Sequence, residues 1–245
     1  MNRTSITGLA CLLAVALTAC AGGGEPPAPS GSPASAPLEA LKEPANSMSV
    51  SPPLSPAPVS AEALAAYRAL LAGEPGALDR PPEGLELHQV TLPPAEELEY
   101  VLLDLDGDGG AELVVQMVAQ PHQFNAVFHY GDGELSCWQY DIMEMSCRDY
   151  PLGDGAMVRQ YDTGTGPNRY SNLYTVFRYL PDGETEECAS LAVHQDTQED
   201  GTEVFTYLVD DAEVDQDTFA AEFEELVGSR LLSLEDWIPA TERPG

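Results

Sequence analysis

Basic residues are scarce in this chain. Lysine and arginine number 10 against 41 acids in 245 residues, for a formal charge of −31. Such a chain has no basic stripe for phosphates and repels nucleic acid and anionic headgroups, which excludes nucleic-acid binding. Zinc motifs are absent as well. His88, His122, His129 and His194 form no His-Glu-x-x-His, and the cysteines form no Cys-x-x-Cys. There is no Gly-x-Ser-x-Gly nucleophile elbow. Thr163-Gly164-Thr165-Gly166-Pro167 is glycine-rich, but no Lys-Ser/Thr follows, so it reads as a long loop and not a phosphate cradle. The apolar run Leu9–Leu17 is too short to span a bilayer. Acid pairs such as Glu186/Glu187 and Glu222/Glu225 carry little signal in a chain this acidic and read as solvated faces.

What the chain does have is Asp104-Leu105-Asp106-Gly107-Asp108-Gly109-Gly110-Ala111-Glu112, set between the apolar runs Tyr100–Leu103 and Leu113–Val118. Ca²⁺ is a hard cation that takes six to eight oxygens at roughly 2.3–2.6 Å. A loop delivers them from carboxylates at its first, third and fifth positions and a carbonyl at its seventh. Here those are Asp104, Asp106, Asp108 and the carbonyl of Gly110. Gly109 falls at the sixth position, where the turn favours a residue without Cβ. Glu112, at the ninth, can close the shell directly or through water. Val115 stands where an EF-hand has its bidentate glutamate, so this loop is not an EF-hand and implies no helix pair. Mutual repulsion among four acids in nine residues calls for a counter-ion, and Ca²⁺ is the expected one.

The string Asp-Leu-Asp-Gly-Asp-Gly-x-x-Glu-Leu resembles the calcium loop of FG-GAP and VCBS repeat proteins, where it links two strands. With a helix upstream, it also resembles a group of uncharacterised bacterial surface lipoproteins carrying one such loop. The first resemblance covers about ten residues. Only one loop is present, so no propeller or ligand-binding face carries over. The second is looser and brings no known activity.

Residues 1–19 read as a lipoprotein signal peptide, with Arg3 in the positive region. Leu17-Thr18-Ala19-Cys20 resembles the bacterial lipobox, which makes Cys20 the lipidated first mature residue. Residues 20–59 form a Pro/Ala/Ser/Gly-rich tether that cannot bury enough apolar surface to order itself. Residues 60–241 form a single globular domain.

The domain opens on a helix over Ser60–Ala72, with Ser60 as N-cap, Gly73 as its stop, and Leu64, Tyr67 and Leu71 on one face. The runs beside the acidic loop are apolar on both faces and read as central strands. Short strands then alternate with Asp132-Gly133, Asp154-Gly155, Asp182-Gly183 and Asp200-Gly201, pairs suited to tight hairpins. His129 shares a polar face with Asn125 and reads as exposed. Trp138 and the strand tyrosines read as packing residues more readily than as a sugar-stacking platform. A second helix spans Asp217–Val227 on Phe219, Phe223, Leu226 and Val227, after which Leu232, Leu234 and Trp237 pack back. The expected fold is α+β: one curved antiparallel sheet, a meander of Asp-Gly hairpins, with a helix at each end of the domain.

Cys137 and Cys147 lie symmetrically about Ile142, so a hairpin turning there sets them opposite each other for a disulfide. Cys188 with either of them, or three reduced thiols, are the alternatives. The functional expectation is a lipid-anchored, extracytoplasmic envelope protein with a structural Ca²⁺. It would contact the membrane through its anchor and bind an envelope or extracellular ligand. The alternative is an extracellular hydrolase acting on glycan or peptide through an acidic site that no motif reveals.

Overall fold

The strands flanking the acidic loop are apolar on both faces, and the fold buries both. In the computed structural model β1 (Leu98–Leu103) pairs antiparallel with β2 (Glu112–Met117), and Leu103 stands opposite Glu112. Side chains alternate across the sheet. Leu98, Tyr100, Leu113 and Val115 pack with Ala63, Tyr67 and Leu71 of α1 (Ala61–Leu71). Val101, Leu103 and Val114 pack the other way, against Met157, Phe177 and Tyr179.

The structure describes residues 57–140, 147–166, 168–242 and 244, without the side-chain surroundings of 120–123 and 165. All fall within the unit Asn46–Gly245. The expected signal segment 1–19, Cys20 and nearly all of the expected tether lie outside the described residues. Among the described residues no helix is long and apolar enough to cross a membrane.

β3 (Gln120–Gly131), β4 (Glu134–Tyr140) and the short β11 (Ile238–Pro239) complete the first sheet, in the order β11-β1-β2-β3-β4. The second sheet comprises β5 (Cys147–Pro151), β6 (Met157–Gly166), β7 (Arg169–Tyr179), β8 (Thr185–Thr197), β9 (Glu203–Val209) and β10 (Ala212–Val214). Its order runs in sequence from β10 to β5. α2 (Gln216–Leu226) covers part of this sheet's far face. Tyr174 meets Phe223 and Tyr207 meets Phe219, with ring centroids 5.1 and 5.3 Å apart. Full burial of Phe219 contributes roughly 1.5–3 kcal/mol.

The architecture is thus α+β and antiparallel, but built on two sheets where one curved sheet was expected. β1 and β2 are the reason. Apolar on both faces, they need a layer on each side; α1 covers one, and the second sheet covers the other.

Smaller expectations also change. The glycine-rich stretch 163–166 continues β6 instead of looping. Asn125 is buried, and its amide donates to the Asp149 carbonyl at 2.6 Å, because the face it shares with His129 is turned toward the second sheet. Trp237 packs back as expected, whereas Leu234 remains 80% exposed in a short 3₁₀ turn. β4 and β5 are not hairpin partners: β4 pairs with β3 and β5 with β6, so no shared ladder sets Cys137 opposite Cys147. The proposed turn about Ile142 lies outside the described residues. No disulfide joins the described cysteines. The Cys137 thiol instead donates to the Gln139 carbonyl at 3.1 Å, and burial pushes its pKa up to about 12.

The Asp-Gly pairs all sit in turns, of two kinds. At Asp132-Gly133 both residues have positive φ, as a two-residue hairpin requires. At 155, 183 and 201 only the glycine does, following a tight turn in which the preceding aspartate accepts from the backbone two residues on.

Candidate metal centre

The loop between β1 and β2 winds around its own carboxylates. Asp104 accepts from Gly107 N at 2.7 Å and from Gly109 N at 3.1 Å. Asp106 Oδ1 accepts from Asp108 N at 3.0 Å, and Asp108 Oδ1 from Gly110 N at 2.5 Å. Gly107 and Gly109 have φ of 78° and 87°, a left-handed conformation that other residues adopt at a cost. These two glycines let the chain turn tightly enough for one carboxylate oxygen each of Asp104, Asp106 and Asp108 to lie within 4.8 Å of one another.

A second group shares Asp106. One ligand atom each of Asp106, Glu112 and His129 also lie within 4.8 Å of one another. Glu112 is buried at the start of β2, and both its oxygens are engaged. Oε2 accepts from Leu105 N at 2.7 Å, and Oε1 meets His129 Nδ1 at 3.0 Å. Either group could hold a metal ion. Asp106 Oδ2 supports this: it is buried and has no hydrogen-bond partner among the described residues. A buried carboxylate oxygen left this way is unfavourable unless a cation or donor meets it.

The electrostatics agree. Burial raises the pKa of Glu112 despite its bonds to His129 and Leu105, and burial raises that of Asp106, with Asp108 and Asp104 adding to the effect. Burial works to lower the pKa of His129, but its bond to Glu112 and the nearby charges of Glu112, Asp106 and Asp108 outweigh it, so the net shift is upward. In the metal-free protein the negative charge here is uncomfortable, which is what a cation relieves.

The surroundings hold the loop. Tyr67 of α1 reaches up from beneath, its hydroxyl donating to the Ala111 carbonyl at 2.9 Å. On another side the turn at Gly155 presses on the loop's first residue: a Cβ there would stand 2.0 Å from the Asp104 carbonyl oxygen. That turn is tied down by Asp154, whose Oδ2 meets Arg178 at 3.0 Å and Arg230 at 2.6 Å.

Of the expected ligands, Asp104, Asp106 and Asp108 converge, and Gly110 follows in the same turn. Glu112 lies behind them, committed to Leu105 and His129. His129 is the residue that sequence reasoning missed. It lies 17 positions from Glu112, and only the pairing of β2 with β3 brings the two together. An alternating strand pattern gave no sign of it, because its face was taken as solvent.

His129 also floors a groove of about 620 Å³, with Arg80, Glu83, Asp182 and Glu184 among its walls. Trp138 lies there too. His129 stacks on it at 4.3 Å and Tyr179 lies tilted against it at 5.2 Å. Comparison with family models, curated proteins and solved structures finds no match to this chain.

Proposed function

We propose that this protein is a lipid-anchored, extracytoplasmic envelope protein whose domain is stabilised by a structural Ca²⁺, and that it serves as a binding or accessory module. The observation that carries the ion is the convergence of one carboxylate oxygen each of Asp104, Asp106 and Asp108 within 4.8 Å of one another. Ca²⁺ suits the loop because its donors are all oxygens, three carboxylates and the Gly110 carbonyl. Glu112 holds the shape of the shell from behind. Ligands drawn from one short loop favour a structural ion over a catalytic one. The anchor rests on Leu17-Thr18-Ala19-Cys20 and on the Pro/Ala/Ser/Gly-rich stretch that follows. The strongly negative charge suits a soluble surface module and gives nucleic acid no purchase.

Calorimetric titration of Ca²⁺ into the EDTA-stripped full-length protein tests the ion. One site and a raised Tm are expected; no heat and no shift reject it. Palmitate labelling in a bacterial host tests the anchor, with label lost in Cys20→Ala. Equal labelling of that variant rejects the lipidation site.

A further inference from the structure

We propose a second metal site beside the loop, built by Asp106, Glu112 and His129, that takes a divalent transition ion of the Zn²⁺ class. It rests on the loop reading only in sharing Asp106.

The donor set distinguishes it from the oxygen-only loop. An imidazole nitrogen is a poor partner for Ca²⁺ and a good one for Zn²⁺, Ni²⁺ or Cu²⁺. The spacing fits too. Zn²⁺ holds nitrogen and carboxylate oxygen at roughly 2.0–2.2 Å, which places neighbouring donors about 3–3.5 Å apart. His129 Nδ1 and Glu112 Oε1 already stand 3.0 Å apart, and one ligand atom each of Asp106, Glu112 and His129 lie within 4.8 Å of one another. A small closure of the surface loop toward two residues anchored on β2 and β3 would complete the set.

Asp106 can serve both sites. Its Oδ1 is turned to the loop, accepting from Asp108 N, whereas its Oδ2 is buried and has no hydrogen-bond partner among the described residues. That atom is a second observation, independent of the clustering. A single bridging carboxylate would leave Oδ1 on the loop side and place Oδ2 on the new ion. Charge agrees: Asp104, Asp106, Asp108 and Glu112 bring four negative charges, of which one divalent ion neutralises half. The imidazole is already held in place, stacked on Trp138 at 4.3 Å. His129 also lines the groove, so the ion would have a route to solvent.

The test is titration of Zn²⁺ into full-length protein already saturated with Ca²⁺. Wild type is expected to show a site that weakens at least about tenfold in His129→Asn. The asparagine amide can still donate toward Glu112, so this variant keeps the fold, which its unchanged Ca²⁺ isotherm would verify. Co²⁺ in place of Zn²⁺ should give visible d–d absorption that the same variant loses. Asp104→Asn should abolish the Ca²⁺ isotherm and retain the Zn²⁺ one. Absence of Zn²⁺ heat in Ca²⁺-loaded wild type, or equal Zn²⁺ affinity in His129→Asn, overturns the second site whatever Ca²⁺ does. Loss of Ca²⁺ binding in wild type with His129-dependent Zn²⁺ binding intact would overturn the loop reading and uphold this one.

Discussion

The acidic loop and the Asp-Gly turns are built from the same parts, yet they differ in what the aspartates do. At Asp154, Asp182 and Asp200 one carboxylate accepts one backbone N–H two residues on and otherwise meets solvent or arginine. In the loop the same local bond recurs at Asp106 and Asp108, but two further acids crowd in and one oxygen is buried with no hydrogen-bond partner among the described residues. An isolated Asx turn is complete by itself. Repeated every second residue, it gathers charge that the local hydrogen bonds cannot offset.

Substitution of the glycines should separate the two regions most sharply. Gly155→Ala forces a Cβ onto the Asp104 carbonyl at a φ of +83°, whereas Gly201→Ala, at +84°, meets open space. We expect Gly155→Ala to destabilise by about 2–5 kcal/mol and Gly201→Ala by about 1 kcal/mol, measured by denaturant unfolding. Equal losses would mean that the Gly155 turn does not brace the loop.

Metal dependence should be the next largest effect. At an ion concentration near a hundred times Kd, Ca²⁺ should add about 2.7 kcal/mol, roughly 5–10 °C in Tm. Asp108→Asn should remove that gain and Asp200→Asn should leave it whole; a gain that survives Asp108→Asn would place the ion elsewhere.

A smaller loss is expected from Tyr67→Phe, which leaves the buried Ala111 carbonyl without its donor: about 1–2 kcal/mol by thermal unfolding. If Tyr67 supports the loop, this variant should also bind Ca²⁺ more weakly, while unchanged affinity would confine its role to the core.

The pH profile gives the finest contrast, because the signs differ. Asp200 has its pKa lowered by its bond from Thr202, so its contribution is present above the ordinary carboxylate range and lost as pH falls. Glu112 and Asp106 have theirs raised, first by burial, so metal-free stability falls as pH rises out of that range. His129, raised on balance, adds stability below the ordinary imidazole range that is lost as pH climbs through its folded-state value. The metal-free protein should therefore lose Tm between mildly acidic and neutral pH, and Glu112→Gln should flatten that fall. A metal-free Tm that climbs over this range would contradict the sign.

Local signals were legible because their physics is local. Ser60 caps α1 by accepting from Ala63 N at 3.0 Å, and Gly107 and Gly109 take the positive φ that the loop needs. Leu113 to Val115 announced strands buried on both faces, and the three loop aspartates do converge. Missing from the sequence was where the meander would break. A two-residue period tells which side chains share a face but not what covers it, so Asn125 and His129 were placed in solvent and Cys137 across a hairpin from Cys147.

Composition and spacing by themselves determined the acidity, the antiparallel α+β character and the loop that gathers three carboxylates, since each depends on residues within a few positions of one another. Only the tertiary structure decided that two sheets share the core, that Glu112 is engaged on both oxygens, and that His129 stands beside it. Those contacts join residues far apart in the chain, and strand register, not local propensity, brings them within 3.0 Å.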